Sequence, residues 1–166
     1  MQILYVDTLT YTQGDMYLVA SDKGLVYIGT PNASFEEVEV WAKKPFKGYG
    51  FEENPEKLQP YKAQLTAYFN KELTEFDLPV HVKGTPFQLA VWEALKELPY
   101  GTTTSYGNIA QRIGNPKAVR AVGTAIGANP ILAIIPCHRV IGKNGQLTGF
   151  RSGLAMKQFL LELEQV

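Results

Sequence analysis

The texture of this chain changes once, between Pro79 and Gly84, and that change divides it into two differently built halves. Before the change the apolar residues favour strands. Gln2 to Leu9, Asp15 to Ala20 and Gly24 to Gly29 are rich in Tyr, Val, Ile and Leu, and Gln13-Gly14 and Asp22-Lys23-Gly24 supply the turns of a meander. Ser34-Phe35-Glu36-Glu37 has the form of a capping box, so a short helix to about Lys43 is predicted. Residues 45–54 carry Gly48 and Gly50 and read as a loop. Pro55 then opens a longer helix to about Lys71, with Leu58, Tyr61, Leu65, Tyr68 and Phe69 on one apolar stripe.

After the change the chain is helical and sharply punctuated. Thr85-Pro86-Phe87-Gln88 combines an N-cap, a proline at the first helical position and a capping Gln, and the helix should end at Leu98. A second helix starts near Ser105 and runs through Ile109, Ala110 and Ile113. Gly114-Asn115 breaks it, and Pro116 is expected to open a third through Val119, Val122 and Ile126. Two helices joined by a short Gly-containing turn are a helix-turn-helix pattern. Gly142-Lys143-Asn144-Gly145 reads as a tight turn between short strands, the place of a wing, and a last helix covers Gly153 to about Leu163. The third helix holds Gly123, Ala125, Gly127 and Ala128, small residues that suit either close packing or the approach of backbone to a nucleic-acid groove.

Charge separates the halves as sharply as pattern does. Residues 1–79 hold 7 basic against 12 acidic residues, and residues 80–166 hold 9 against 4. Residues 98–161 contain no acid, while Arg112, Lys117, Arg120, Arg139, Lys143, Arg151 and Lys157 lie there. Exclusion of acids over such a span is the electrostatic footprint of a polyanionic partner. No apolar run reaches the ~20 residues that cross a bilayer. The start Met1-Gln2-Ile3-Leu4-Tyr5 lacks signal-peptide character, so a cytoplasmic protein that does not enter membranes is expected.

Cys137 is the only cysteine, and it stands in Ile135-Pro136-Cys137-His138-Arg139-Val140. A single thiol forms neither an intramolecular disulfide nor a cysteine zinc cage, which leaves packing or reactivity. Free cysteine packs well as a small hydrophobe. The adjacent His138 and Arg139, however, are groups that lower a thiol pKa from roughly 8.5.

Ser105-Tyr106, Gly114-Asn115-Pro116-Lys117-Ala118-Val119-Arg120-Ala121-Val122-Gly123, Asn129-Pro130 and Ile135-Pro136-Cys137-His138-Arg139-Val140-Ile141-Gly142 together resemble the O6-alkylguanine-DNA alkyltransferase family. The resemblance covers roughly residues 84 to 164. It implies an α/β (α+β) protein: an N-terminal ribonuclease-H-like domain, residues 1–79, and a C-terminal winged helix-turn-helix domain, residues 80–166. It also implies DNA repair by irreversible, single-turnover transfer of an alkyl group from O6-alkylguanine, and from O4-alkylthymine as a further substrate, with no cofactor. The implied partner is double-stranded DNA, bound by a monomer.

Individual positions match the family's functional residues. Cys137 corresponds to the nucleophile, His138 to the base that takes its proton through a water, and Glu164 to the carboxylate that orients the histidine. Tyr106 corresponds to the leaving-group acid aimed at guanine N3. Asn129 corresponds to a side chain tying the end of the recognition helix to the reactive segment. Arg120 corresponds to the arginine that fills the stack after the nucleotide is extruded, a step required because O6 lies inside the duplex. Lys117, Ser105, Ala121, Gly123, Arg139 and Arg151 complete the expected DNA contacts. Val140, Phe150 and Arg151 join Tyr106 and Cys137 around the base, with Gly149 to Gly153 as a lid.

The chain departs from the pattern in two places. Some members carry a structural zinc in the N-terminal domain, but residues 1–79 hold no Cys and no His, so no metal is expected. Arg151 stands where other members have a small residue, which predicts a narrower entrance for bulky O6 groups. No segment for a regulatory zinc domain precedes residue 1, so an adaptor role in transcription is not expected. Three other classes share parts of the pattern. A non-catalytic binder of alkylated bases would lack the cysteine, a helix-turn-helix transcription factor needs dimer symmetry, and a cysteine hydrolase usually places its base far from the nucleophile in sequence.

Overall fold

A computed structural model describes residues 2–142, 145 and 150–165. They form two compact units, Met1–Lys83 and Gly84–Val166. The first is a mixed sheet with two helices. Strands β1 (Ile3–Tyr11), β2 (Gly14–Ser21) and β3 (Gly24–Ile28) make the expected antiparallel meander. A strand β4 (Gly50–Glu53) pairs parallel to β1, giving the order β3-β2-β1-β4. The loop reading of residues 45–54 is corrected by β4. Its Phe51, Glu52 and Glu53 are exposed, so it shows no inward–outward alternation, and its pairing is with a distant strand.

Helix α1 (Glu36–Ala42) and helix α2 (Pro55–Phe69) complete the unit. The expected capping box of α1 does not form, because the carboxylate of Glu37 turns back to accept from the Thr30 N–H at 2.9 Å. Helix α2 buries Leu58, Tyr61, Leu65, Tyr68 and Phe69, the predicted stripe. Val6, Val19, Val26, Tyr27, Val38 and Phe46 form an apolar cluster, against which Trp41 stacks on Tyr27 with ring centroids 4.3 Å apart.

The stretch after Pro79 belongs to this unit. Leu25 donates its N–H to Pro79 O (3.0 Å), His81 donates its N–H to Leu25 O (2.8 Å), and His81 Nδ1 lies 2.7 Å from Ser21 Oγ. The backbones approach so closely that a Cβ at Gly24 would stand 2.7 Å from the Pro79 carbonyl, at a left-handed φ of 153°. Only glycine fits there.

The second unit is helical. Helix α3 (Pro86–Lys96) carries the predicted capping box: Thr85 Oγ1 accepts from the Gln88 N–H, and the Gln88 side chain accepts from the Thr85 N–H. Helix α4 (Tyr106–Arg112) is capped by Ser105, and helix α5 (Val119–Gly127) follows it to make the helix-turn-helix. Helix α5 begins later than Pro116 because Ala118 donates to Asn115 O, closing a turn over Pro116 and Lys117 before the helix can start. The Trp92 indole of α3 donates to Ala125 O of α5 at 2.9 Å, fixing the two helices in register.

A two-residue strand β5 (Thr104–Ser105) pairs parallel with β6 (Val140–Ile141), and helix α6 (Leu154–Leu163) closes the unit. Within the predicted wing, Lys143, Asn144 and residues 146–149 lie outside the described residues. Among the described residues no helix is long and apolar enough to cross a membrane.

Candidate active site and DNA-binding face

The reactive segment is wound tightly before it reaches the thiol. Ile134 donates to Leu132 O across Ala133, which sits in the left-handed region at φ 66°, and Cys137 donates to Ile135 O at 2.7 Å. Such a conformation costs on the order of 1–3 kcal/mol for a non-glycine residue and persists only where its surroundings enforce it. Asn129 supplies part of that enforcement. Its amide donates to Ile135 O at 2.8 Å and its side-chain oxygen accepts from the Ile131 N–H at 2.9 Å. The same side chain lies close enough to the Cys137 thiol to act on its pKa, pulling it down.

Cys137, His138 and Arg139 form one turn of 3-10 helix, and all three are buried. That turn aims His138 and Arg139 at a common target. Glu164, at the end of α6, accepts from His138 Nε2 (2.7 Å), Arg139 Nε (2.9 Å), Arg139 Nη2 (2.9 Å) and the Gly101 N–H (3.0 Å). This resolves the oddity of an acid at a helix C-terminus, where the dipole opposes it. Arg139 also donates Nη1 to Leu98 O.

The expectation that Arg139 contacts DNA is therefore corrected. Its guanidinium is internal, 6% exposed, and committed to Glu164 and Leu98. The expectation that the neighbouring charges leave Cys137 with a depressed pKa is corrected as well. Burial pushes the thiol up, and Asn129, Arg151 and Lys157 only partly oppose it. Burial likewise lowers the pKa of His138, against the pull of Glu164 and with the help of Arg139 and Lys157. The pair is thus a neutral thiol beside a neutral imidazole. Because Nε2 faces the Glu164 carboxylate, it carries the ring proton, and Nδ1 is the basic nitrogen.

Lys157 was not singled out by sequence reasoning beyond its charge. It is fully buried and donates Nζ to Val140 O at 2.7 Å. The ammonium lies 6.0 Å from the Tyr106 ring centroid and 5.9 Å from that of Phe150, so one cation gathers three of the expected base-binding residues. Burial lowers its pKa and the Cys137 charge raises it. The available signal was helical spacing: Lys157, Leu160, Leu161 and Glu164 share one buried face of α6.

The helix-turn-helix presents a different surface. Ser105, Lys117, Arg120, Ala121 and Thr124 are exposed, and Thr124 Oγ1 donates back to Arg120 O. The small residues of α5 divide by role. Ala125 is buried in packing, and a Cβ on Gly123 would come within 3.9 Å of the Tyr106 ring. Beside Gly127 nothing lies within 4 Å, and Ala121 and Ala128 are exposed, so internal packing does not explain their size.

Arg151 is half-buried and turned inward, donating Nε to Asn129 O (3.1 Å) and Nη2 to Pro130 O (3.4 Å). Gly149, the first residue of the expected lid, lies outside the described residues; Phe150 to Gly153 form a turn closed by the Gly153 N–H donating to Phe150 O.

Residues 4–82 match the model of the ribonuclease-like domain of 6-O-methylguanine DNA methyltransferase, and residues 86–166 match the model of its DNA-binding domain. The inducible methylated-DNA–protein-cysteine methyltransferase of Bacillus subtilis is 51% identical over 162 residues, covering 98% of this chain and 90% of that one. A methylated-DNA–protein-cysteine methyltransferase of Methanosarcina acetivorans is 48% identical, covering 91% and 92%. Among solved structures, the O6-methylguanine methyltransferase of Mycobacterium tuberculosis superposes with a TM-score of 0.84 at 40% identity, covering 98% of this chain and 93% of that one. The protein OGT from the same organism, solved in complex with DNA, gives 0.81 at 39% identity, covering 98% and 92%. With both halves matched in order and the reactive turn built as described, the chain belongs to the 6-O-methylguanine DNA methyltransferase family.

Proposed function

We propose that this protein repairs DNA by moving an alkyl group from guanine O6 onto Cys137 in a single irreversible step. The observation that carries the reading is the reactive turn itself. The only thiol of the chain is 4% exposed, and the next residue is a buried histidine held 2.7 Å from a carboxylate. A thiol so enclosed cannot reach a base inside a duplex, so the nucleotide must leave the stack. Arg120, exposed on the recognition helix, occupies the gap.

The chemistry follows from the two neutral partners. His138 Nδ1 takes the Cys137 proton through a bridging water, and Glu164 stabilises the imidazolium that results. Asn129, Arg151 and Lys157 oppose the cost of the buried thiolate. Sulfur then bonds to the alkyl carbon while the carbon–O6 bond breaks, and the electron pair passes to the purine. Tyr106 donates toward N3, where the leaving charge develops. Val140, Phe150 and Arg151 hold the base during the step. The product is a thioether, which water does not cleave, so each chain acts once and needs no cofactor. Duplex DNA is bound by a monomer through phosphate contacts from Lys117, Ser105 and the small-residue face of α5. A single unpaired thiol suits a reducing compartment such as the cytoplasm.

The test is stoichiometric. Excess duplex containing O6-methylguanine should give one methyl per chain and then nothing, with the added mass on the peptide holding Cys137. Cys137→Ser should abolish transfer and keep DNA binding. Repeated turnover, or methyl released as methanol, would replace this reading with a hydrolase.

A further inference from the structure

The first unit contains a cavity of about 270 Å³ that the alkyl-transfer chemistry does not use, lined by Tyr5, Ser21, Asp22, Lys23, Tyr49 and His81 among others. That volume lies just below the roughly 300 Å³ at which sites for drug-sized ligands begin, so it suits a small one. The wall is organised around one imidazole. His81 Nδ1 lies 2.7 Å from Ser21 Oγ, and its ring meets the Phe46 ring edge to face at 5.5 Å. Ser21 is buried, and its Oγ also accepts from the Lys23 N–H at 3.1 Å, so the turn that carries Lys23 is tied to the ring. With Nδ1 engaged, Nε2 is the ring nitrogen left to meet a ligand.

Charge around this cavity is unbalanced. Asp22 is neutralised by Lys57, whose Nζ stands 3.2 Å from its Oδ1. Among the described residues neither Lys23 nor Lys83 pairs with an acid. Lys83 instead places its Nζ over the rings of Phe46 and Tyr49, 4.5 and 5.3 Å from their centroids. Burial lowers the pKa of His81, and Lys83 and Lys23 lower it further, so both cations act on the imidazole. An anion placed among them relieves that repulsion. Two uncompensated charges match a dianion better than a carboxylate, and a phosphate monoester, with its second pKa at about 6, is largely dianionic at neutral pH.

We propose that this cavity is a binding site for a phosphate dianion, received by Lys23 and His81 in the field of Lys83, with Tyr5 and Tyr49 as walls for a group esterified to it. Every residue that makes the site belongs to the first unit, and the proposal does not depend on the reaction at Cys137. A small phosphate monoester and the free phosphate ion offer the same chemistry to the cations; only the monoester also meets the tyrosines.

The chain has two histidines, so imidazole resonances in NMR report the site directly, with His138 as an internal control. The full chain, in a buffer free of phosphate and sulfate, is titrated near neutral pH with thymidine 5′-monophosphate, inorganic phosphate and thymidine. Thymidine 5′-monophosphate should shift the His81 resonances saturably, raise the apparent pKa of that ring and leave His138 in place. Inorganic phosphate should do the same at higher concentration, and thymidine should do nothing. Saturation by inorganic phosphate at an equal or lower concentration keeps the phosphate site and assigns it to the free ion. Lys23→Gln and Lys83→Gln, both at exposed positions, should each weaken binding by about tenfold or more, the scale of a lost interaction with a charged group. The proposal is overturned if neither phosphate compound shifts His81 saturably, if thymidine shifts it equally, or if affinity is unchanged in either variant.

Discussion

Arg139 and Glu164 form a bidentate ion pair, Nε to Oε1 and Nη2 to Oε2, each at 2.9 Å, on the carboxylate that also holds His138. The acid therefore has two tasks, neutralising a buried guanidinium and orienting an imidazole. Breaking a buried pair by removing one partner typically costs about 3–5 kcal/mol, whereas replacing both by apolar groups is often neutral. Glu164→Ala and Arg139→Met should each lower the urea midpoint strongly. The double variant Arg139→Met/Glu164→Leu should regain much of that stability and still transfer alkyl slowly, because His138 has lost its acceptor. Recovery of both stability and rate would show that the carboxylate serves the fold alone.

The pH dependence of stability should follow the two histidines. Burial lowers the pKa of His138 below its ordinary 6.5, and burial with Lys83 and Lys23 nearby does the same to His81. Below the ordinary value the unfolded chain binds protons that the folded chain refuses. Stability should fall as pH drops through 6.5 toward the depressed values, then level off once both states are protonated. His138→Gln should flatten this dependence in the second unit and His81→Gln in the first, as read from melting temperature against pH.

Lys157→Met should act on both structure and reactivity. Loss of the donor leaves Val140 O buried without that partner, a penalty of about 1–3 kcal/mol. Loss of the charge should raise the thiol pKa further and slow iodoacetamide labelling near pH 7, with the gap to wild type narrowing in alkali. Since Cys137 is the only cysteine, the labelling rate reports it without ambiguity. A uniform slowing at every pH would assign Lys157 a packing role only.

Arg120→Ala should impair repair within duplex DNA by tenfold or more. It should leave reaction with an alkylated free base nearly unchanged, since only the duplex demands extrusion. Binding by the wild type should weaken steeply as salt rises, and Lys117→Ala should reduce that slope by about one unit. Equal losses on duplex and free base would remove Arg120 from the extrusion step.

The legible parts of this molecule are those in which the chemistry is local. The meander and the Thr85 capping box are each written within a few residues, and each forms as expected where described. The less legible parts depend on long-range pairing. Strand β4 is a strand only because β1 lies beside it. Glu164 stands 26 residues from His138, and its role was placed by resemblance rather than by any local pattern. Arg139 reads as a surface residue because arginine usually is one, and nothing nearby in sequence announces the carboxylate that draws it inward. Lys157 also reads as a surface cation, although its spacing with Leu160, Leu161 and Glu164 on one face of the last helix marks it as internal.

The two tryptophans give the molecule separate optical signatures. Trp41 stacks on Tyr27 in the first unit, and the Trp92 indole donates to a carbonyl of the recognition helix in the second. Each compact unit thus holds one indole in a distinct environment. With Trp41→Phe, emission would come from Trp92 alone, and any shift of the recognition helix as DNA binds or as Cys137 gains its alkyl group would register as a change in wavelength or lifetime. With Trp92→Phe, the same instrument would watch the ribonuclease-like unit and tell whether damage recognition is felt there at all.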